Sequence, residues 1–280
     1  MSSSPEWATS SGDIWSERWR EIDEALADLA SVLNPAIVAA APESPFRAFD
    51  VGCGAGSTSL ALAEARPDGS IVACDLSPAL VQVAEKRLAG RQVQVVLGDA
   101  EEVAASKGRF DLIFSRHGVM FFPDPMKAFR SLRSAANPGA ALIFSCFQAW
   151  DANPWASELA SAAAGRTLPP PGREPSGFAF AEPDYVRDIL NSSGWTDIAW
   201  RPVPFAYAAG GGSGAVDAAS SFLGQIGPAS RAIQELPDEA RGDALRRMRS
   251  VIERHFNGEA VEFPAAAWIY TAKAGEAAGA

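Results

Sequence analysis

The stretch AFDVGCGAGSTSLALAEA, residues 48–65, decides the fold. An apolar run ends at Asp50 and Val51, a helical pattern begins at Ser57, and between them stand Gly52, Gly54 and Gly56. Glycines let a backbone approach a ligand closely, and the free amides of a helix N-terminus donate hydrogen bonds to it. A pyrophosphate-binding GxGxxG turn would need glycine where Ser57 stands. The stretch therefore predicts a nucleotide-binding turn of the D-x-G-x-G-x-G type.

Around this turn, short apolar runs alternate with helical patterns. We predict strands over 46–51, 70–75, 92–97, 110–115 and 140–147, and helices over 57–65, 78–89, 101–106 and 125–135. Such alternation is typical of an α/β fold with a parallel sheet. Outside this region we predict one amphipathic helix over 13–33, a helix over 182–193, strands over 195–207 and 261–272, and interrupted helices over 215–256.

Composition narrows the functional class. The 280 residues carry 24 Lys and Arg against 34 Asp and Glu, a net charge of −10, and such acidity disfavours a nucleic-acid partner. The N-terminal sequence has no basic segment followed by an apolar one, as a secretion signal would have. No apolar run reaches about 18 residues, the length needed to span a membrane. We therefore expect no membrane contact and a cytoplasmic location. Cys53, Cys74 and Cys146 lack CxxC spacing, which indicates buried thiols and no metal site.

Four motifs in residues 46–147 resemble those of the class I S-adenosylmethionine-dependent methyltransferases. They are the Asp50–Gly56 turn, Asp75 in IVACDLSP about 20 residues after Gly52, the sequence GDAE at 98–101, and FDLIFSRHGVMFFPDP followed by AANPGAALIF. The resemblance implies S-adenosylmethionine as cofactor. It also implies a cofactor site made of Asp50, Gly52, Cys53, Gly54, Gly56, Asp75, Leu76, Asp99, Ala100 and Ser115.

Two of the implied contacts have alternatives in local structure. In the family, a carboxylate at the position of Asp75 meets the ribose hydroxyls and one at Asp99 meets the adenine amino group. Asp75 with Ser77 and Pro78 is also an ordinary signal for a helix start. Asp99 equally suits the cap of the short helix that follows it. Both alternatives stay open at the level of sequence.

The resemblance also implies a Rossmann-like seven-stranded sheet of order 3-2-1-4-5-7-6 with strand 7 antiparallel. The chain then divides into six segments. They are a helical lid (1–36), a cofactor-binding core (37–147), a cap insertion (148–181), a core continuation (182–207), a helical cap insertion (208–257) and a last core strand with tail (258–280). Both insertions are expected over the carboxyl ends of the strands, where open α/β sheets bind ligands.

The N-terminal segment DIWSERW resembles the lid of one bacterial small-molecule subgroup of the family. In that comparison Trp15, Arg18 and Trp19 close over cofactor and acceptor. The alternative is a helix that only packs against the sheet edge.

Candidate catalytic residues follow the fourth strand. His117 lies at the edge that in this family faces the transferable methyl, and an imidazole is a general base near neutral pH. Contact with the cofactor or support of the loop is an equally good interpretation. Arg116 is a candidate to hold a carboxylate or phenolate of the acceptor, or to pair with Asp124.

The acceptor is predicted as a small, partly apolar organic molecule methylated at oxygen. Apolar residues of the expected cap support this: Trp150, Trp155, Phe178, Phe180 and Phe222. The family's [ND]PPY motif for nitrogen acceptors is absent after the fourth strand, where SRHG stands. The competing functions are a nicotinamide-dependent oxidoreductase and a catalytically silent S-adenosylmethionine-binding regulator. The sequence predicts no oligomeric state.

Overall fold

A computed structural model describes residues 10–275, so residues 1–9 of the predicted lid and 276–280 of the predicted tail lie outside the described residues. The helices are α1 (Ser10–Glu17), α2 (Trp19–Ala25), α3 (Ala27–Ala40), α4 (Ser57–Ala65), α5 (Pro78–Leu88), α6 (Ala100–Lys107), α7 (Pro125–Ala135), α8 (Pro154–Ala164), α9 (Pro183–Ser192), α10 (Ala215–Leu223), α11 (Pro228–Gln234) and α12 (Asp238–Arg254). The strands are β1 (Arg47–Val51), β2 (Ser70–Asp75), β3 (Val93–Leu97), β4 (Phe110–Arg116), β5 (Ala136–Phe147), β6 (Trp195–Gly211) and β7 (Ala260–Ala274).

These strands form one sheet of order β3-β2-β1-β4-β5-β7-β6, which confirms the predicted fold class. The first five strands pair in parallel, and β7 runs antiparallel to β5 and β6. The carboxyl ends of β1, β2, β4 and β5 consequently meet at one edge. The interior is built on fully buried aromatic side chains, Phe49, Phe110, Phe114, Phe129 and Phe144 among them.

The last two strands project beyond the rest of the sheet. Strand β5 ends where Phe147 pairs with Ala267, but β6 and β7 stay paired as far as Gly211 and Ala260. From Val203 onward this two-stranded ribbon extends about 26 Å at the usual rise per residue. The prediction that the strand ends at 207 and the insertion begins at 208 was therefore wrong. The cross-strand ladder holds residues 208–211 extended despite their glycines, which alone disfavour a strand.

The N-terminal segment forms three helices instead of the predicted single helix over 13–33. The chain leaves helical geometry at Arg18 and again at Leu26, each with φ near −104°. Contacts elsewhere in the fold account for the first break, because the Arg18 guanidinium donates to Ser221 of α10 and to Gln225 just beyond it. The breaks let one apolar face follow the surface of the sheet through the buried residues Ile22 and Leu29.

No helix within residues 10–275 has the length and apolar character needed to cross a membrane. The three cysteines are buried free thiols, as predicted.

Candidate cofactor and acceptor site

The glycine-rich turn lies where β1 meets β4. Gly52 has φ +65°, and a Cβ there would lie 3.1 Å from the Cα of Gly118, so the two backbones pass too closely for a side chain. Gly54 also has a positive φ, +53°, but a Cβ there would meet open space. The turn is therefore tight on its β4 side and open at Gly54, which is the shape of a cradle for a ligand.

Asp75, at the end of β2, holds that cradle in place. Its Oδ2 accepts the amide of Gly54 at 2.9 Å and its Oδ1 accepts the amide of Ser77 at 2.9 Å. A carboxylate has about four acceptor positions, so the Asp75 carboxylate retains acceptor capacity for a ligand. Burial raises the pKa of Asp75, opposed by these backbone hydrogen bonds. Leu76 beside it is half-buried. The N-cap of α5 is Ser77, whose hydroxyl accepts the amide of Leu80. The helix-start role considered for Asp75 is therefore filled largely by Ser77.

Asp50 lies beneath the turn and is almost fully buried. Its Oδ2 accepts the hydroxyl of Ser59 at 2.6 Å. Desolvation raises the pKa of Asp50 from 3.8 to about 7, against the opposing effect of that hydrogen bond. Cys53 is buried next to it, and burial raises the pKa of its thiol well above the ordinary value. Cys53 is therefore a neutral filler of the cradle and not a nucleophile.

Asp99 does cap the helix that follows it. Its Oδ1 accepts the amide of Glu101 at 2.8 Å, and Ala100 is the first residue of α6. A contact from Asp99 to the adenine stays a prediction.

Ser115 links β1 to the turn after β4. Its buried hydroxyl donates to the carbonyl of Val51 at 2.7 Å and accepts the amide of Gly118 at 3.1 Å. The hydroxyl proton is thus already used, and Ser115 fixes the relative positions of the two strand ends.

Arg116 pairs with Asp23 of α2, at 2.8 Å, and not with Asp124. Asp124 instead caps α7 by accepting the amide of Lys127. The other oxygen of Asp23 pairs with Arg87 of α5, also at 2.8 Å. Sequence reasoning could not find Asp23, because its partners lie more than 60 positions away along the chain.

One of the predicted lid residues, Trp19, lies beside this ion-pair cluster. Arg87 stacks over the ring of Trp19 at 4.0 Å and donates to the carbonyl of Ala55 in the glycine-rich turn at 2.9 Å. Trp15, on α1, packs half-buried against the core. Helices α1 and α2 therefore lie over the glycine-rich turn, although whether they open stays a prediction.

His117 follows β4 in a left-handed conformation with φ +60°. Its Nδ1 lies 2.9 Å from the hydroxyl of Ser145, and its buried Nε2 has no hydrogen-bond partner among the described residues. Burial, and secondarily the charge of Arg116, lower the pKa of His117 from 6.5 to about 3. The imidazole is therefore neutral at physiological pH.

Beyond His117 lies an aromatic cluster made of Phe147, Trp155, Phe178, Phe205 and Tyr207. The His117 ring contacts Phe147 at 4.1 Å between centroids, and Trp155 stacks on Tyr207 at 4.5 Å. Trp155 and Phe178, both predicted in the cap, contact each other with ring centroids 6.2 Å apart. The cap prediction did not include Phe147 of β5 or Phe205 and Tyr207 of β6, because aromatic residues are common in strands.

Two of the residues expected in the cap, Phe180 and Phe222, lie outside the aromatic cluster, and a third, Trp150, lies at its edge. Phe180 packs in the core against Phe129 and Phe144, and Phe222 is fully buried on α10. Trp150 contacts Phe178 at the edge of the aromatic cluster. Within the described residues, no group of three or more acidic, cysteine or histidine side chains is arranged to hold a metal ion.

Part of the chain is similar to known methyltransferases. Residues 49–144 match a family model described as a methyltransferase domain. A malonyl-[acyl-carrier protein] O-methyltransferase of Herminiimonas arsenicoxydans is 37% identical over 97 residues, which cover 35% of each chain. A demethylmenaquinone methyltransferase of Roseiflexus castenholzii is 27% identical over 191 residues, covering 62% of this chain and 77% of that one. The chain thus spans only about a third of the length of the first relative.

A solved structure of a putative methyltransferase from Bacillus halodurans shares the fold, with a TM-score of 0.55 and 17% identity over 88% of this chain and 99% of that one. The matched domain and the sheet order support a class I S-adenosylmethionine-dependent methyltransferase. The cofactor of that class is S-adenosylmethionine. The residues present fit it, because the cradle is open at Gly54 and Asp75 keeps free acceptor positions beside it.

Proposed function

We propose that this chain binds S-adenosylmethionine at the edge formed by β1, β2 and β4 and catalyses methyl transfer to an oxygen of a small, partly apolar organic molecule. The observation that carries the proposal is the hydrogen bond from Gly54 to Asp75, which ties the open glycine-rich turn to a carboxylate at the next strand end. That pairing presents backbone donors and carboxylate acceptors to one ligand.

Each residue of the cradle has a distinct task in this proposal. Asp75 accepts the ribose hydroxyls, Leu76 covers an apolar face of the base, and Asp99 with the Ala100 amide meets its polar edge. Asp50 and Ser115 act indirectly, because their hydrogen bonds hold the turn itself. When bound, the cofactor supplies a methyl group activated by a sulfonium centre.

The chain contributes positioning and the exclusion of water to methyl transfer. The lid helices α1 and α2 cover the glycine-rich turn through Trp19 and Asp23. On the other side, the aromatic cluster offers an apolar wall beside His117. An acceptor between them would be held by apolar contact, with His117 as the nearest polar side chain after β4.

The structure favours a positional role for His117 over general-base catalysis. A group with a pKa of about 3 takes up a proton poorly from a hydroxyl near neutral pH. A positional residue instead orients the acceptor oxygen. The name of the Herminiimonas relative supports oxygen as the atom methylated.

The proposal is tested by incubating the protein with S-adenosylmethionine and a panel of small carboxylic acids, phenols and alcohols. Release of S-adenosylhomocysteine and a mass gain of one methyl group on an acceptor are the expected results. An exposed-surface variant, Arg246→Ala, is the control that leaves turnover unchanged. Cofactor binding without turnover on any acceptor would favour the silent regulator. Binding of a nicotinamide cofactor in its place would favour the oxidoreductase.

A further inference from the structure

His117 and Ser145 form a buried pair at the carboxyl ends of β4 and β5. The hydroxyl of Ser145 lies 2.9 Å from Nδ1 of His117, and the amide of His117 donates to the carbonyl of Ser145 at 3.2 Å. Ser145 has no exposed surface, and His117 is nine-tenths buried. The backbone of His117 has φ +60°, a conformation that is uncommon outside glycine and recurs at functional sites.

The hydrogen-bond inventory of the pair selects one tautomer. Nδ1 of His117 is the only partner of the Ser145 hydroxyl among the described residues. If Nδ1 carried the ring proton, the Ser145 hydroxyl would accept it and leave its own proton buried without an acceptor. Such an unsatisfied donor costs about 1 to 3 kcal/mol. In that tautomer the Nε2 lone pair is unpaired as well. If Nε2 carries the proton, the hydroxyl donates to Nδ1, and Nε2–H is the one group of the pair left without a partner among the described residues.

Nε2 is then an N–H donor that the protein leaves without a partner. Buried donors in folded proteins are nearly always paired, so an orphan beside a ligand site indicates a partner supplied by the ligand. We propose that Ser145 fixes His117 as the Nε2–H tautomer and that this N–H donates a hydrogen bond to an acceptor oxygen that is already ionised, as a carboxylate is at neutral pH. Ser145 is thus a positioning residue that acts through His117.

An ionised acceptor oxygen also removes the need for a general base. This part of the inference rests on the proposed methyl transfer to oxygen. The oxygen forms its bond to the methyl carbon as the carbon–sulfur bond breaks, and the bonding pair of that bond stays on sulfur. A carboxylate becomes a neutral ester and no proton is released, whereas a neutral alcohol would release one proton per methyl transferred. A neutral, buried imidazole suits the first case, as a donor, and is poorly suited to the second.

The tautomer is tested by nitrogen NMR of the protein labelled with ¹⁵N-histidine. The chain has only two histidines, and His255→Gln assigns the second signal. The wild type is expected to show a protonated Nε2 and an unprotonated Nδ1 for His117. Ser145→Ala should lose this preference, and Ser145→Thr should restore it. Ser193→Ala, which removes another buried hydroxyl that donates to the carbonyl of Met126 and not to His117, is the matched control and should leave the signal unchanged. A protonated Nδ1 in the wild type would overturn the inference.

The acceptor class is tested by turnover with 4-phenylbutanoate and with 4-phenylbutan-1-ol, which differ only in the ionised group. The carboxylate is expected to react at least 100-fold faster, with no proton released per S-adenosylhomocysteine formed. His117→Ala should raise KM for the carboxylate about tenfold or more, and His117→Gln, which keeps an N–H donor, should recover part of it. Equal rates, or one proton released per turnover, would overturn the acceptor class. No turnover of either compound would count against the acceptor class and the proposed function, while the NMR result still decides the tautomer.

Discussion

Removal of the Asp23 carboxylate is expected to loosen the lid helices from the cofactor site. Asp23 pairs with Arg87 and Arg116 at 2.8 Å each, and all three side chains are less than one fifth exposed. Pairs on the open surface contribute less than about 1 kcal/mol, and removing one partner of a buried pair costs about 3 to 5 kcal/mol. For two partly buried pairs that share one carboxylate, we expect a cost of about 1 to 3 kcal/mol to lid closure.

The assay is hydrogen exchange followed by mass spectrometry on the wild type, Asp23→Asn and Glu24→Gln. A cost of that size should speed exchange in residues 10–25 by about 5- to 150-fold in Asp23→Asn. Exchange in the buried strands should stay unchanged. Glu24 is on the same helix and makes no ion pair among residues 10–275, so Glu24→Gln controls for loss of charge alone. Wild-type exchange in Asp23→Asn would refute the reasoning and show that apolar packing alone holds these helices.

The remaining predictions concern four residues of the site. Asp75→Ala should weaken S-adenosylmethionine binding by about 1.5 to 3 kcal/mol, measured by calorimetry, since charge-assisted hydrogen bonds to the ribose are lost; unchanged affinity in a folded variant would remove Asp75 from the ribose site. Asp99→Ala should lower Tm through the lost helix cap, and unchanged cofactor affinity would leave it a cap only. Because the folded-state pKa of Asp50 is raised to about 7, ionisation of this group destabilises the fold progressively as pH rises from about 4 to 7. The stability of Asp50→Asn relative to wild type should therefore increase by about 2 kcal/mol between pH 5 and pH 8 in denaturant unfolding, and a constant difference would contradict this. Since burial lowers the pKa of His117 to about 3, wild-type kcat should show no ionisation of His117 between pH 6 and 9. If His117 were the general base, His117→Ala would instead lower kcat by about 10² to 10⁴ with cofactor affinity retained.

The sequence predicted the fold and the backbone of the glycine-rich turn well because their signals are local. Glycines at this spacing indicate a backbone conformation that other residues rarely adopt. In the structure Gly52, Gly54 and Gly56 all have positive φ. The sequence placed Asp75 at the end of a strand beside the glycine-rich turn. In the structure its carboxylate accepts a hydrogen bond from the amide of Gly54 in that turn.

The surroundings of Arg116 and His117 could not be predicted from the sequence because they depend on contacts between distant segments. Asp23 meets Arg116 only after α2 has crossed the sheet edge, and no spacing in the sequence indicates that pair. The environment of His117 depends on burial and on Ser145, a serine within a buried strand that carries no distinguishing signal in the sequence. The ribbon beyond Tyr207 was missed because glycines end strands more often than they continue them.

Calorimetric titration of the purified protein with S-adenosylmethionine, and separately with NAD, tests the central claim most directly. The account predicts saturable one-site binding of S-adenosylmethionine, weakened at least tenfold in Asp75→Ala, and no heat of binding with NAD. Saturable binding of NAD with none of S-adenosylmethionine would contradict the assignment of the glycine-rich turn and everything built upon it.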